Sequence, residues 1–396
     1  MYSRRSLIVY LLFLFGTIYY LVFPILFSEI YFEKQFPLHE LLYDYVSDIE
    51  TFDYFIMLIL YFLVFALGFK SKRKKIKKFR PSPLCGISCK VILLLLFFAQ
   101  IFAYYKLQNN LFSGYSPDLD GFVRNSSKSF ISGLNIAYLF FSIYFYYTKQ
   151  KFLFNIYTFL LLMNSFILLG LGARMNVVPV FLGYIIIRFI DIKHIFLNKK
   201  NMFILLLIPF LSISIVSIGL LRQGDSINTD GLLYIFSAEP IFTWLGAGSF
   251  LSFNTIDMFN FPYRFIASFA ILIPTAIWPN KFELIEQYSH IYEFDNPLGA
   301  TSVIYVFLSN FGLLGTFIAI FVLGMFFKTL VNRSFQNTFN KTVFIVSLTI
   351  VPFLFFRSDS GIIIKSILFN SILVPYITII FGNYLDKLLL IFSKKG

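Results

Sequence analysis

Residues 53–69 read DYFIMLILYFLVFALGF, residues 70–90 read KSKRKKIKKFRPSPLCGISCK, and residues 91–107 read VILLLLFFAQIFAYYKL. The two flanking pieces are apolar runs close to the roughly 20 residues an α-helix needs to cross the hydrocarbon core of a bilayer. The middle piece carries nine Lys and Arg. Loops rich in Lys and Arg stay on the cytoplasmic side of a membrane. The stretch therefore predicts two spans joined by a basic cytoplasmic loop at 70–90. Both cysteines of the chain, Cys85 and Cys89, lie in that loop. A C-x-x-x-C pair with no further Cys and no nearby His makes a poor zinc site, and two reduced thiols are the simpler reading.

The same alternation continues in both directions. Apolar runs predict spans at 6–28, 53–69, 91–107, 130–147, 152–170, 175–191, 202–221, 301–327, 342–356 and 361–382. Two more segments, 231–252 and 262–278, are interrupted by Glu239-Pro240 and by Pro274. They read either as a transmembrane pair or as re-entrant or interfacial segments packed on protein. The expected fold is all-α, a polytopic transmembrane helical bundle of about ten to twelve spans. It forms one integral membrane domain over 1–396, without a soluble domain or a low-complexity tail. Composition agrees: 58% of residues are hydrophobic and 13% charged, against about a quarter charged in soluble domains. The net charge of +13 sits in short loops, so it reports topology and not nucleic-acid binding. With Arg4 and Arg5 inside, the loops at Lys149–Lys151, Lys193–Lys200 and Lys328–Lys341 and the tail Lys387–Lys395 all fall inside as well. Both termini are then cytoplasmic. The first run, Leu7 to Phe27, is long enough to span, and no small-residue cleavage site follows it, so no cleavable signal peptide is expected. The interrupted helices cluster in 231–278 and have no counterpart elsewhere, which disfavours a transporter of inverted halves.

This threading makes four outer regions: an acidic loop at 29–52, a polar loop at 108–129, a long irregular segment at 222–300 and a short turn at Arg357-Ser-Asp359. Long irregular segments in compact proteins tend to be functional, and 222–300 is expected to line a cavity. Three arginines stand at outer helix ends, against the positive-inside bias: Arg174 in GLGARMN, Arg222 in RQGD and Arg357 in FFRSDSG. Arg264 in PYRF sits at one interface or the other. Any one of them could simply snorkel to lipid headgroups. As a set they suit a phosphate or diphosphate group, because guanidinium binds phosphate through a planar fork. Candidate general bases are Glu239, an acid inside an apolar stretch, and His290 and Glu293 in the outer segment 279–297, which also holds Glu283, Glu286 and Asp295. A solvated face is the simpler reading of that acidic segment. No metal-ligand spacing and no Gly-rich phosphate loop is present, so neither metal nor cofactor is expected.

Residues 299–315 read GATSVIYVFLSNFGLLG. Gly299 and Ala300 open a helix, Asn310 lies inside it, and Gly312 and Gly315 mark close helix packing. Together with the preceding Pro-bearing loop, the LGLGAR turn and Arg222, this string resembles the bacterial O-antigen and capsule repeat-unit polymerases, over roughly residues 160–330. The resemblance implies a GT-C-like membrane glycosyltransferase at the outer face of the bacterial inner membrane. Its substrates would be oligosaccharide repeat units on undecaprenyl diphosphate. A chain-length regulator and other polysaccharide-assembly proteins would be partners, alongside membrane lipid. Arg174 and Arg222 match the family's functional arginines, with Arg357 a looser match. Gly299 and Asn310 to Gly315 match as motif residues. The related O-antigen ligases carry a His-containing pair where Thr301-Ser302 stands here, which argues for polymerase over ligase. A flippase of lipid-linked sugars is the other alternative.

Overall fold

A computed structural model describes residues 4–71, 86–107, 121–171, 176–190, 229–273, 277–287 and 301–393. Among them 87% are helical and none is in a strand. In chain order the helices are α1 (Arg4–Glu33), α2 (His39–Ser47), α3 (Thr51–Lys70), α4 (Ile87–Leu107), α5 (Gly121–Tyr147), α6 (Lys151–Gly170) and α7 (Val178–Ile190). There follow α8 (Thr229–Phe253), α9 (Tyr263–Leu272), α10 (Lys281–Glu286), α11 (Val303–Ser334), α12 (Thr338–Phe355) and α13 (Ser360–Phe392). Helices satisfy every backbone group internally, which is what an apolar environment demands. Among the described residues seven are long and apolar enough to cross a membrane: α1, α3, the 130–147 part of α5, α6, α11, α12 and α13. Large apolar side chains such as Leu11, Ile59, Leu63, Phe159 and Ile318 point outward from them.

The two segments left open by the sequence differ in form. In 262–278 the described helix is α9, with ten residues, about 15 Å of helix against about 30 Å of hydrocarbon. Residues 231–252, read as interrupted, lie in one 25-residue helix with Pro240 inside it. Helix α8 tolerates that proline because it is enclosed; every residue from Pro240 to Phe250 is buried. Among the described residues of 222–300, Thr229–Phe253 is one long helix and only the short helices α9 and α10 follow it. The run 202–221 and most of the loop 70–90 lie outside the described residues.

The chain divides into two compact units. One consists of Met1–Lys75, Pro209–Val331 and Val351–Lys365. Its core is aromatic. Phe13 of α1 packs on Phe65, Phe327 and Phe355 with ring centroids 4.3, 5.1 and 5.6 Å apart. Helices α3 and α11 cross at glycines. A Cβ on Gly68 would sit 2.1 Å from the Phe321 carbonyl oxygen, and one on Gly324 would sit 2.3 Å from the Phe65 oxygen. Close packing through small residues is the rule for helices that meet in lipid. The expectation placed that role at Gly312 and Gly315. It is carried instead by Gly324, three turns further along.

Gly312 does something different. With φ 69° and ψ −176° it breaks α11, a conformation that L side chains rarely adopt. Residues 257–260 dock into the break by backbone pairing. The Leu313 N–H donates to the Asp257 carbonyl (2.9 Å), the Leu314 N–H to Met258 (2.9 Å), and the Asn260 N–H to Phe311 (3.1 Å). A Cβ at Gly312 would lie 2.6 Å from the Asp257 oxygen. Gly315 packs loosely, its nearest foreign neighbour being Phe259 at 3.8 Å.

The other unit consists of Ile76–Ile208, Asn332–Ile350 and Ser366–Gly396. Buried amides tie its helices together: Gln100 Nε2 and the Tyr104 hydroxyl both donate to Asn164 Oδ1, and Asn164 Nδ2 donates to the Ile131 carbonyl and to Asn135 Oδ1. Asp386 of α13 accepts from the backbone N–H and the hydroxyl of Ser88 at the start of α4, at 2.9 and 2.7 Å. This is the carboxylate-at-N-terminus arrangement that helix ends favour.

Candidate functional site

Charged side chains inside the first unit converge on one turn, residues 356–359, between α12 and α13. The turn carries Arg357 and Asp359. Its backbone is held by the Thr301 N–H, which donates to the Arg357 carbonyl at 3.0 Å. Both groups find partners on other elements. Arg357 Nε lies 2.7 Å from Glu239 Oε2 of α8. Its N–H is not aimed along that contact, so the pair is ionic without a well-directed hydrogen bond. Among the described residues the Nη1 and Nη2 groups of Arg357 donate to no protein acceptor. Both members of the pair are about a quarter exposed, 28% and 26%.

Arg264 of α9 is used differently. Its Nη2 lies 3.5 Å from Asp359 Oδ1, and its Nη1 donates to the Tyr305 hydroxyl of α11. The guanidinium carbon also stands 5.2 Å from the centre of the Tyr305 ring, within range for a cation–π contact. Tyr305 is buried, edge-on to Phe250 at 5.3 Å. Both terminal nitrogens of Arg264 thus serve the fold. It acts as a strut between α9, α11 and the 356–359 turn. The Ser268 and Ser360 hydroxyls, 2.6 Å apart, make a second link between α9 and the start of α13.

Asn310 explains why Arg264 sits where it does. Its Oδ1 accepts from the Phe265 N–H at 2.7 Å while its Nδ2 donates to the Val306 carbonyl at 2.7 Å. A side chain from α11 thereby caps the first turn of α9, where backbone donors lack helical partners. Lys281 of α10 adds further positive charge. It is buried, its Nζ donates to the carbonyls of Ile271 (3.5 Å) and Ile273, and burial pushes its ammonium below the ordinary lysine pKa. Lys365 of α13 lies within its electrostatic reach.

Apolar space adjoins this cluster. A cavity of about 80 Å³ is lined by Val303 and Ile304, next to Tyr305, and by Phe355 and Phe356, next to Arg357, with Tyr61 and Thr316 further in. The geometry therefore offers a guanidinium with a carboxylate beside it and an apolar cavity lined by the sequence neighbours of Tyr305 and Arg357.

Of the residues singled out from the sequence, the fold brings Glu239, Arg357 and Arg264 together. Asn310 and Gly312 support them. Arg174, Arg222, His290, Glu293 and Gly299 lie outside the described residues. The sequence reading did not single out Asp359, Tyr305, Tyr20 or Lys281. Asp359 could have been found from its position two residues after Arg357 in one tight turn. Tyr20, in the middle of the first apolar run, carries no sequence signal. Compared with known protein families, curated proteins and solved structures, the chain matches none of them.

Proposed function

We propose that the chain is a polymerase that joins oligosaccharide repeat units carried on undecaprenyl diphosphate, at the outer face of the bacterial inner membrane. The observation that carries this reading is Arg357, paired through Nε to Glu239. A fork of this kind suits a diphosphate oxygen pair, which lysine would meet only as a point charge. The adjoining apolar cavity and the membrane-length helices favour a substrate that arrives in the bilayer.

In the proposed reaction the acceptor sugar's hydroxyl oxygen forms a bond to the anomeric carbon of the growing chain. The bond from that carbon to the diphosphate oxygen breaks, and its electron pair leaves with the diphosphate. Arg357 stabilises that developing charge, which is the largest electrostatic demand of the step. The proton of the acceptor hydroxyl passes to a carboxylate, and Glu239 is the one placed beside the fork. Arg264 holds the turn that carries Arg357. Arg174 and Arg222 are proposed as further diphosphate ligands, and His290 and Glu293 as alternative bases.

Deletion of the gene tests the reading. A polymerase deletion leaves surface polysaccharide one repeat unit long. Long chains of normal length would end the proposal, and cores without any repeat unit would point to a ligase. The purified protein should also lengthen lipid-linked repeat units in detergent without nucleotide or ion gradient, which a flippase would not do.

A further inference from the structure

Tyr20 lies in a π-helical turn, Ile18–Val22, within α1. Such turns are rare and are frequent at functional sites. A second one, Val351–Phe355, ends just before Arg357, and a third, Lys365–Leu373, begins one turn after Ser360. The first is fastened to α8 close to Glu239: the Tyr19 hydroxyl donates to the Phe236 carbonyl at 2.8 Å, and the two rings pack at 5.4 Å. Tyr20 itself stacks parallel to Phe356, with centroids 6.3 Å apart and ring planes 2° from parallel. Its ring is fully buried, and among the described residues its hydroxyl has no hydrogen-bond partner. Phe356 is the residue before Arg357, and Phe236 lies three before Glu239, so these contacts hold the Tyr20 ring near the ion pair.

An unpartnered hydroxyl in a protein interior costs stability, and phenylalanine would fill the same space without that cost. Among the described residues, Arg357 is the one charged partner of Glu239, and the contact is poorly directed. A ligand that recruits Arg357 would leave the carboxylate of Glu239 without a donor. We propose that Tyr20 is the positioning residue that meets this need: when an anionic ligand draws Arg357 away, the Tyr20 hydroxyl donates to Glu239 in its place. Glu239 then stays ionised and aimed while Arg357 engages the ligand. The inference rests on the reading of Arg357 as the anion-binding group.

The test uses the full chain purified in detergent, with farnesyl diphosphate as the lipid probe and inorganic pyrophosphate as the soluble one. Wild type should bind the lipid probe and gain thermal stability from it, and Arg357→Ala should lose both. Tyr20→Phe should melt no lower than wild type without ligand, yet bind about tenfold more weakly, as expected for one hydrogen bond to a charged group. In a Glu239→Gln background the same substitution should make no further difference. As a readout independent of that variant, the probe should shift the tyrosine ultraviolet absorbance of wild type, and Glu239→Gln should abolish the shift. Undiminished affinity in Tyr20→Phe, or an equal loss in the Glu239→Gln background, overturns the role of Tyr20 while leaving the anion site standing. Failure of wild type to bind either probe overturns the anion site itself, and the inference with it. Equal binding of both probes keeps Tyr20 in its role and removes the lipid tail from recognition.

Discussion

Arg264, on α9, and Arg357, in the 356–359 turn, are chemically the same, yet their surroundings assign them opposite work. Arg264 gives its terminal nitrogens to Tyr305 and Asp359, whereas Arg357 gives only Nε to Glu239. Arg357→Ala should therefore abolish polymer formation while the protein remains in the membrane at normal melting temperature. Arg357→Lys should recover only part of the activity, since a point charge cannot reproduce the fork. Arg264→Ala should instead lower stability, by roughly 1–3 kcal/mol for a partly buried charge network that loses its central donor, and lower activity as a consequence. Paired melting curves and polymerisation assays separate the two. Equal effects on stability from both substitutions would remove the division of labour. Sequence alone could nominate both arginines, because each is a charge next to apolar residues. It could not rank them, because the distinction lies in which nitrogens meet which acceptors.

Helix α11 concentrates three devices at the scale of the element. Its first turn carries Tyr305, its first third is broken at Gly312, and it crosses α3 at Gly324. The apolar run and the glycines were legible in the string 299–315 and beyond it. Their roles were not, because Gly-x-x-Gly fits a packing face and a broken backbone equally well. Positive φ at Gly312 and the backbone pairing with 257–260 decide it. Gly312→Ala should be strongly destabilising, because the new Cβ meets backbone at 2.6 Å in a conformation that disfavours L residues. Gly315→Ala, which meets only its own helix and a distant ring, should change the melting temperature by little. A milder effect at Gly312 than at Gly315 would mean that the break is not a fixed feature of the fold. The 231–278 stretch shows the converse. Proline at 240 and 274 left open a transmembrane pair or re-entrant segments; α8 runs continuously through the buried Pro240, while α9 has only ten residues.

At the scale of the whole molecule, charge predicts ten to twelve spans, and among the described residues seven helices are long and apolar enough to cross a membrane. Helix α12 has 18 residues, close to the length that one membrane crossing needs. If the basic loops are cytoplasmic, single cysteines in a background without Cys85 and Cys89 should report it. Asn337→Cys should be labelled by a membrane-impermeant maleimide only after the cells are opened, and Ser358→Cys should be labelled in intact spheroplasts. The opposite pattern would invert the topology and move the Arg357 site to the cytoplasmic side, where lipid-linked polymerisation is not expected.

The sequence by itself determined that this chain is helical and where most of the apolar helices among the described residues lie. Apolar length and the clustering of Lys and Arg are local properties, so they can be read without knowing what lies across from them. Tertiary structure decided which charges meet. Glu239 and Arg357 are more than a hundred residues apart, and Arg264, Asp359 and Tyr305 come from three separate elements. Their association depends on helix crossings, on a break at one glycine and on a capping asparagine, and none of these is encoded in the spacing of residues along the chain. The stretch 53–107 could announce a membrane-spanning fold because lipid imposes its demand on each span separately. A site imposes its demand on several spans at once, and only their packing satisfies it.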